Sequence, residues 1–377
     1  MNEVSVATII QRFGAVPDPR VNRRKRHLLV DIMAITICAV LSGADGWVEV
    51  QRFGLAKLAW FKSFLTLPNG IPSHDTFGRV FALLDPQMFE NCFQEWLKTV
   101  AQLLRGEVIP IDGKELRGSH DHFRGQEAIR LVSVWAQTNG LVLGQIKVED
   151  RSNEITAMPK LLSLFDLEEC IVTADAMGCQ KGIAKAILAQ KADYVLAVKE
   201  NQKTLYTDLV GLFQEAEKVQ YRHVAHDDCQ TTDKGHGRIE IRRCWVITDE
   251  VYLHYLASLK WPGLRAIAMV VGERHVGDKT TTAVRYYISS LPGPAKTMLR
   301  AVRQHWGIEN SLHWVLDIAF REDKSRVRVG HAAENLSIIR RIALNLLKRE
   351  KTVKVGIKVK RLMAAWDQAY LLKALGI

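Results

Sequence analysis

The chain has 377 residues, 47% of them hydrophobic, with a formal net charge of +11 at pH 7 and a pI near 9.3. That length predicts two or three domains, and the composition is that of a soluble globular protein with a large buried core. Six scattered cysteines (Cys38, Cys92, Cys170, Cys179, Cys229, Cys244) form no CxxC pair, which excludes a zinc-finger module and predicts reduced thiols in a cytoplasmic protein.

Residues 1–104 read as an all-helical domain. RRKRH (23–27) precedes LLVDIMAITICAVL (28–41), a run shorter than the roughly 20 residues of a spanning helix and interrupted by Asp31. It predicts a buried helix, and with no secretory signal the expectation is no membrane contact. WVEVQRFGLAKLAWFKSFL, HDTFGRVFALL and PQMFENCFQEWLKTVAQLL carry apolar residues at helical spacing. Between them LPNGIPSHD (67–75) is a loop in which Ser73 or Asp75 would cap the next helix.

Residues 105–220 change to strands: GEVIPIDG, AIRLVSVWAQTNG and LVLGQIKVED, with TNG (138–140) as a hairpin turn. EITAMPKLLSLF is then helical, CIVTADAMG a strand, QKGIAKAILAQK a helix and ADYVLAVKEN a fifth strand. This order predicts an α/β fold built on a ribonuclease H-like mixed sheet. GRIEIRRCWVIT, LRAIAMVVGERH and TTTAVRYYISSL break the alternation, so residues 221–290 read as a β-rich insertion. Residues 291–377 would complete the core, with one long helix at 294–320 and a basic helical tail.

Charge is concentrated in that tail, where residues from Arg300 onward include sixteen Lys/Arg and seven Asp/Glu. A basic lobe favours a polyanion, chiefly nucleic acid, over an anionic membrane surface; a solvated charged face is the plainer alternative.

Three acids stand out. Asp112 ends the first strand of the sheet, Asp175 ends CIVTAD, and Glu309 lies in the long helix. Each has an ordinary explanation: Asp112-Gly113 as a tight turn, Asp175 as a helix cap, Glu309 as a helix-face acid. Neighbouring first and fourth strands would instead bring the two aspartates to one sheet edge. Carboxylates gathered there repel unless divalent cations share them, as in two-metal phosphoryl transfer. His305, Glu309, His313 and Asp317 recur every fourth residue, a stripe that could also hold zinc or iron, although no HExxH is present. Trp306 and Trp314 are expected in the core.

DGKELRGS, VTADAMGCQ, HGRIEIRR and RQHWGIENSLHWVLDIAFREDKSRVR resemble the DDE transposases of bacterial insertion sequences, closest to the H-repeat-associated group. DPRVNRRKRHLLVDIMAI, LSGADGW and LPNGIPSHDTFGRVF resemble that group's associated helical segment. The resemblance implies cleavage of DNA ends and transfer of the 3′-OH into target DNA, using two Mg²⁺ (or Mn²⁺) ions held by Asp112, Asp175 and Glu309. It implies double-stranded DNA as partner (terminal repeats and target), a dimer in the synaptic complex, and action at the nucleoid. A Tyr-x2-Arg-x3-Glu-x6-Lys signature is absent, since Val302, His305 and Leu316 fill its other positions.

Basic help must therefore come from elsewhere, with Arg303, His305, Arg321 and Lys324 as candidates. Lys114 and Arg117 beside Asp112 are further candidate phosphate contacts. In HGRIEIRR, strand alternation puts Arg238, Glu240 and Arg242 on one face, and FREDKSRVRVGH adds Arg326 and Arg328. Two other functions remain open on this reading: a DNA-binding relic or regulator that no longer cleaves, and a nuclease without strand transfer.

Overall fold

The structure, a computed structural model, describes residues 14, 16–21, 25–99, 101, 103–121, 125, 127–149, 153–235 and 237–376. Arg23 and Arg24 of the basic run RRKRH, and His236 of HGRIEIRR, lie outside the described residues.

The N-terminal region is helical, as its apolar spacing predicts. Helix α1 (Leu29–Leu41) is buried along almost its whole length, including Asp31, whose Oδ2 accepts a hydrogen bond from the Leu67 amide at 3.0 Å. Helices α2 (Trp47–Ala56), α3 (His74–Leu83) and α4 (Pro86–Lys98) follow. Ser73 caps α3 by accepting from Thr76 N, and Asp85 caps α4 by accepting from Met88 N.

The sheet begins with β1 (Val108–Leu116), β2 (Ile129–Ala136) and β3 (Leu141–Lys147), the last two joined at Gly140, which takes a φ of 66°. Helix α5 (Glu154–Leu162) leads to β4 (Ile171–Ala174), α6 (Lys181–Ala189) to β5 (Asp193–Val198), and α7 (Lys203–Lys218) to β6 (His226–Gly235). Strands β7 (Arg238–Ile247), β8 (Ala266–Val276) and β9 (Lys279–Ser289) complete one nine-stranded mixed sheet, ordered β3-β2-β1-β4-β5-β9-β8-β7-β6. β1 pairs parallel with β4 and antiparallel with β2, and β9 pairs antiparallel with β5. The β-rich segment is therefore an extension of the main sheet. Its edge strand β6, HDDCQTTDKG, is mostly exposed and polar and carries no apolar alternation that would have revealed it.

The long helix expected at 294–320 is broken. Helix α8 (Ala295–His305) is followed by a π-helical turn at Glu309–His313 and by α9 (Trp314–Phe320). Helices α10 (Ala332–Arg349), α11 (Ile357–Trp366) and α12 (Gln368–Leu375) form the tail. They do not stand apart from the N-terminal helices. Ile35, Phe81, Phe93, Leu336, Ile339 and Leu371 all belong to one continuous apolar core. A helix as buried as α1 or α10 needs cover on every side, and each supplies the other's.

The basic tail is also partly internal. Arg340, Arg341, Lys360 and Arg361 are buried. Arg361 donates to the carbonyls of Val40 (3.0 Å) and Ala44 (3.1 Å), terminating α1, and Lys360 donates to that of Leu347 (2.9 Å) at the end of α10. These cations neutralise helix ends, so the excess charge counted in the tail overstates what faces a partner. No helix among the described residues is long and apolar enough to cross a membrane, and all six cysteines are unpaired.

Candidate active site

Ile111 and Ala174 are the last paired residues of the parallel strands β1 and β4, and the next residue on each is Asp112 and Asp175. Strand pairing alone thus sets the two carboxylates side by side. The expected turn at Asp112-Gly113 does not form: β1 continues to Leu116, with Asp112 paired to Ser133 and Gly113 to Val132. Gly113 serves a different end, because a Cβ there would overlap the Glu154 carboxylate. Asp175 is not the cap of α6, whose N-cap is Gln180; its Oδ1 accepts from the amides of Met177 (2.9 Å) and Gly178 (3.2 Å).

Glu309, exposed, opens the π-helical turn. Asp112, Asp175 and Glu309 line one cavity of about 390 Å³, together with Thr173, Lys199, Arg285 and His305. Single ligand atoms of Asp112, Glu309 and His313 lie within 4.8 Å of one another. His313 is 3% exposed, its Nε2 is 3.4 Å from Asp112 Oδ2, and neither ring nitrogen has a hydrogen bond. His305 Nδ1 lies 3.1 Å from Thr173 Oγ1, and burial pushes its pKa down against the opposing pull of Asp112 and Asp175.

Glu154 is a fourth carboxylate that sequence reasoning missed. Burial raises its pKa, and the charges of Asp112 and Asp175 raise it further. It opens α5, where an acid reads as a helix-dipole residue, so the one available hint was Gly113 beside Asp112. Clustered carboxylates with a buried imidazole that makes no hydrogen bond are a donor set suited to divalent cations.

Comparison with known proteins decides the family. A family model described as "Transposase DDE domain" matches residues 81–346, and one described as "DDE_Tnp_1-associated" matches residues 10–97. The chain is 41% identical to "Putative transposase YncI" of Escherichia coli O157:H7, over 98% of this chain and 94% of that one. It is 39% identical to "H repeat-associated putative transposase YhhI" of Escherichia coli strain K12, over 97% of each. The chain belongs to the DDE transposase family. Among solved structures, the piggyBac transposase synaptic complex with hairpin DNA aligns at TM-score 0.46 and 11% identity, covering 99% of this chain and 82% of that one.

The basic residues of this DDE transposase fall into two groups. Arg238, Arg242 and Arg303 line a groove of about 680 Å³ with Arg274, Arg285 and Trp306. Glu240 and Asp233 hold them in place: Arg238 pairs with Glu240 (2.9 Å), and both Arg242 (2.7 Å) and Arg303 (2.9 Å) pair with Asp233. The groove adjoins the acidic cavity, since Arg285 and Trp306 line both. The second group lies at the far end of β1, where Arg328 Nε donates to Gly118 O at 3.0 Å and Arg117 lies 3.8 Å from Asp323. Arg321, Lys324 and Arg326 are exposed in the same segment.

Two expectations need correction. Lys114 is not a surface cation: its side chain is 8% exposed and sits among Asp317, Glu322 (3.5 Å) and Asp323 (3.6 Å). Trp306 and Trp314 are not core residues but 50% and 58% exposed. Each directly follows a site-facing histidine, and one residue turns a helix by about 100°, which brings Trp306 to the wall of the groove beside β8 and β9. Arg285 stacks over the Trp306 ring at 5.8 Å.

Proposed function

We propose that this chain cleaves the ends of its mobile element and transfers the 3′-OH ends into target DNA, on a ribonuclease H-like core. The convergence of Asp112, Asp175 and Glu309 on one cavity beside a basic groove carries this reading. The order β3-β2-β1-β4-β5 with β2 antiparallel supports the core assignment, and β6–β9 supply the β-rich segment expected between the second Asp and the Glu. Asp112, Asp175 and Glu309 would hold two Mg²⁺ or Mn²⁺ ions. Cations bound there would supply activation of the attacking water or 3′-hydroxyl and stabilisation of the leaving oxygen.

The chain's own residues position the DNA. Arg238, Arg242, Arg274 and Arg303 offer guanidinium groups to phosphates along the groove, which makes binding fall with salt. Lys199 and Arg285 bring positive charge to the cavity, where the scissile phosphate would sit. His305, whose pKa burial pushes down against the pull of Asp112 and Asp175, can exchange hydrogen bonds with Thr173 or a phosphate oxygen. Holding two ends together calls for at least a dimer on DNA, and the setting would be the cytoplasm, at the nucleoid.

The test is cleavage of the element's ends and joining of a labelled 3′-OH end to plasmid with Mg²⁺, beside Asp175→Ala. Full activity in the variant overturns the acid assignment. Cleavage without joining gives a nuclease, and DNA binding with no cation-dependent cleavage gives a non-catalytic protein.

A further inference from the structure

We propose that His313 is itself a metal ligand, giving one cation position an imidazole nitrogen beside the carboxylates of Asp112 and Glu309. The proposal rests on the reading of this cavity as a divalent-cation centre. Its first support is proximity: one ligand atom from each of the three residues falls within 4.8 Å of the others. The second is an unmet need. His313 is 3% exposed, yet its Nδ1 has no partner, and its Nε2 lies 3.4 Å from Asp112 Oδ2 without a hydrogen bond. A buried polar group without a partner costs about 1–3 kcal/mol, and few persist in folded proteins without a reason.

The third support is the backbone. Glu309–His313 is a π-helical turn set between two α-helices. In a turn closed by i→i+5 hydrogen bonds, residues four apart lie nearly one turn apart, so Glu309 and His313 project to the same side, toward Asp112. Single π turns are rare and concentrate at functional sites. Asp175 stands outside this trio. A cation held by this trio would have the His313 nitrogen as a donor, and one held at Asp175 would not.

That asymmetry has a consequence for metal choice. Mg²⁺ is a hard cation that takes oxygen ligands, whereas imidazole suits first-row transition metals. His313 would make this position prefer Mn²⁺ over Mg²⁺, and its removal would narrow the preference.

The experiment is Mn²⁺ titration of the full-length protein without DNA, following the free ion by its EPR signal and the bound ion by pulsed EPR for ¹⁴N coupling. The expected result is an imidazole ¹⁴N coupling in the wild-type protein. His313→Gln should lose that coupling and weaken Mn²⁺ binding at least about tenfold, with Mg²⁺ competition little changed. A wild-type spectrum without ¹⁴N coupling overturns the proposal, whatever the folding of the variants. Coupling that survives His313→Gln but vanishes in His305→Gln assigns the nitrogen to His305 and overturns it too. If Asp112→Asn and Asp175→Asn leave Mn²⁺ binding untouched, the cation-centre reading fails along with it. If those variants lose the ion while His313→Gln binds as the wild type, only the His313 assignment fails.

Discussion

Replacing Lys114 by Met should destabilise the fold rather than weaken DNA binding directly. The Lys114 ammonium faces Asp317, Glu322 and Asp323, and the Glu322 side chain is wholly buried. Met preserves most of the stem's volume but removes the charge, leaving Glu322 with Arg341 at 3.1 Å as its one remaining direct ion pair, beside the Ser337 hydroxyl. Breaking a buried pair from one side typically costs about 3–5 kcal/mol. Arg341 remains, and Asp317 and Asp323 reach solvent, so the low end applies, about 3 kcal/mol. The pH dependence gives a second signature. Burial raises the Glu322 pKa, but Arg341 and Lys114 outweigh it and hold it at about 2 against an ordinary 4.5. A depressed carboxyl contributes stability above pH 4.5 that is lost as pH falls toward 2. Without Lys114 the carboxyl titrates higher, so acid unfolding should begin at a higher pH. Urea unfolding at pH 7 and in the acid range, with Glu322→Gln and the double variant, measures both effects. A loss under about 1 kcal/mol, with a salt slope of DNA binding reduced by about one phosphate contact, would refute this account and return Lys114 to the DNA surface.

Gly113→Ala should impair cation binding and cleavage while the melting temperature falls only modestly, because the new methyl displaces the Glu154 carboxylate from beside Asp112; unchanged cleavage would mean that Glu154 has no part in the site. Glu90, buried in α4, has its carboxyl pushed up from 4.5 to about 7 by desolvation. A raised carboxyl favours the fold while both states are protonated and loses that advantage as pH rises from 4.5 to about 7, a component of roughly 3 kcal/mol. Glu90→Gln should flatten that slope, and thermal melts across this range check it. Deleting residues 1–104 should leave an aggregating remainder rather than a folded catalytic domain, since α10 would lose its cover; a soluble fragment with a cooperative melt would contradict the shared core.

Much of the sheet was legible in the sequence because its central strands are continuous apolar runs bounded by turns, and strand order alone brings Asp112 next to Asp175. What escaped depends on contacts distant in the chain. Asp-Gly is a strong turn signal, but here the glycine answers to Glu154, 41 residues away, and the strand runs on. β6 is an exposed edge strand held by pairing to β7 rather than by apolar alternation. Periodicity found the stripe from His305 to Asp317, but a π-helical turn follows no uniform 3.6 spacing and left no mark that composition could reveal. The tail's arginines read as surface charge until their carbonyl partners on α1 and α10 were in view.

Those buried cations point to how the site is supported. Asp112 stands on β1, and β1 is held from both sides by groups that lie far away in sequence. Lys114 ties it to α9 and the segment that follows, while β3, two strands away across β2, is pinned to the helical layer. Asn345 on α10 accepts from Val142 N and donates to Val142 O, both at 2.9 Å, and Glu90 on α4 accepts from Gln145 N at 3.0 Å. Glu322 then joins Ser337 and Arg341 of α10 to the same Lys114 cluster. One helix thus braces the strand that carries Asp112 and the segment that follows Glu309. A carboxylate site for phosphoryl transfer must hold its acids in fixed relative positions before substrate arrives. The N-terminal helices that cover α10 are therefore part of the scaffold of the candidate site, although none of their described residues lines its cavity.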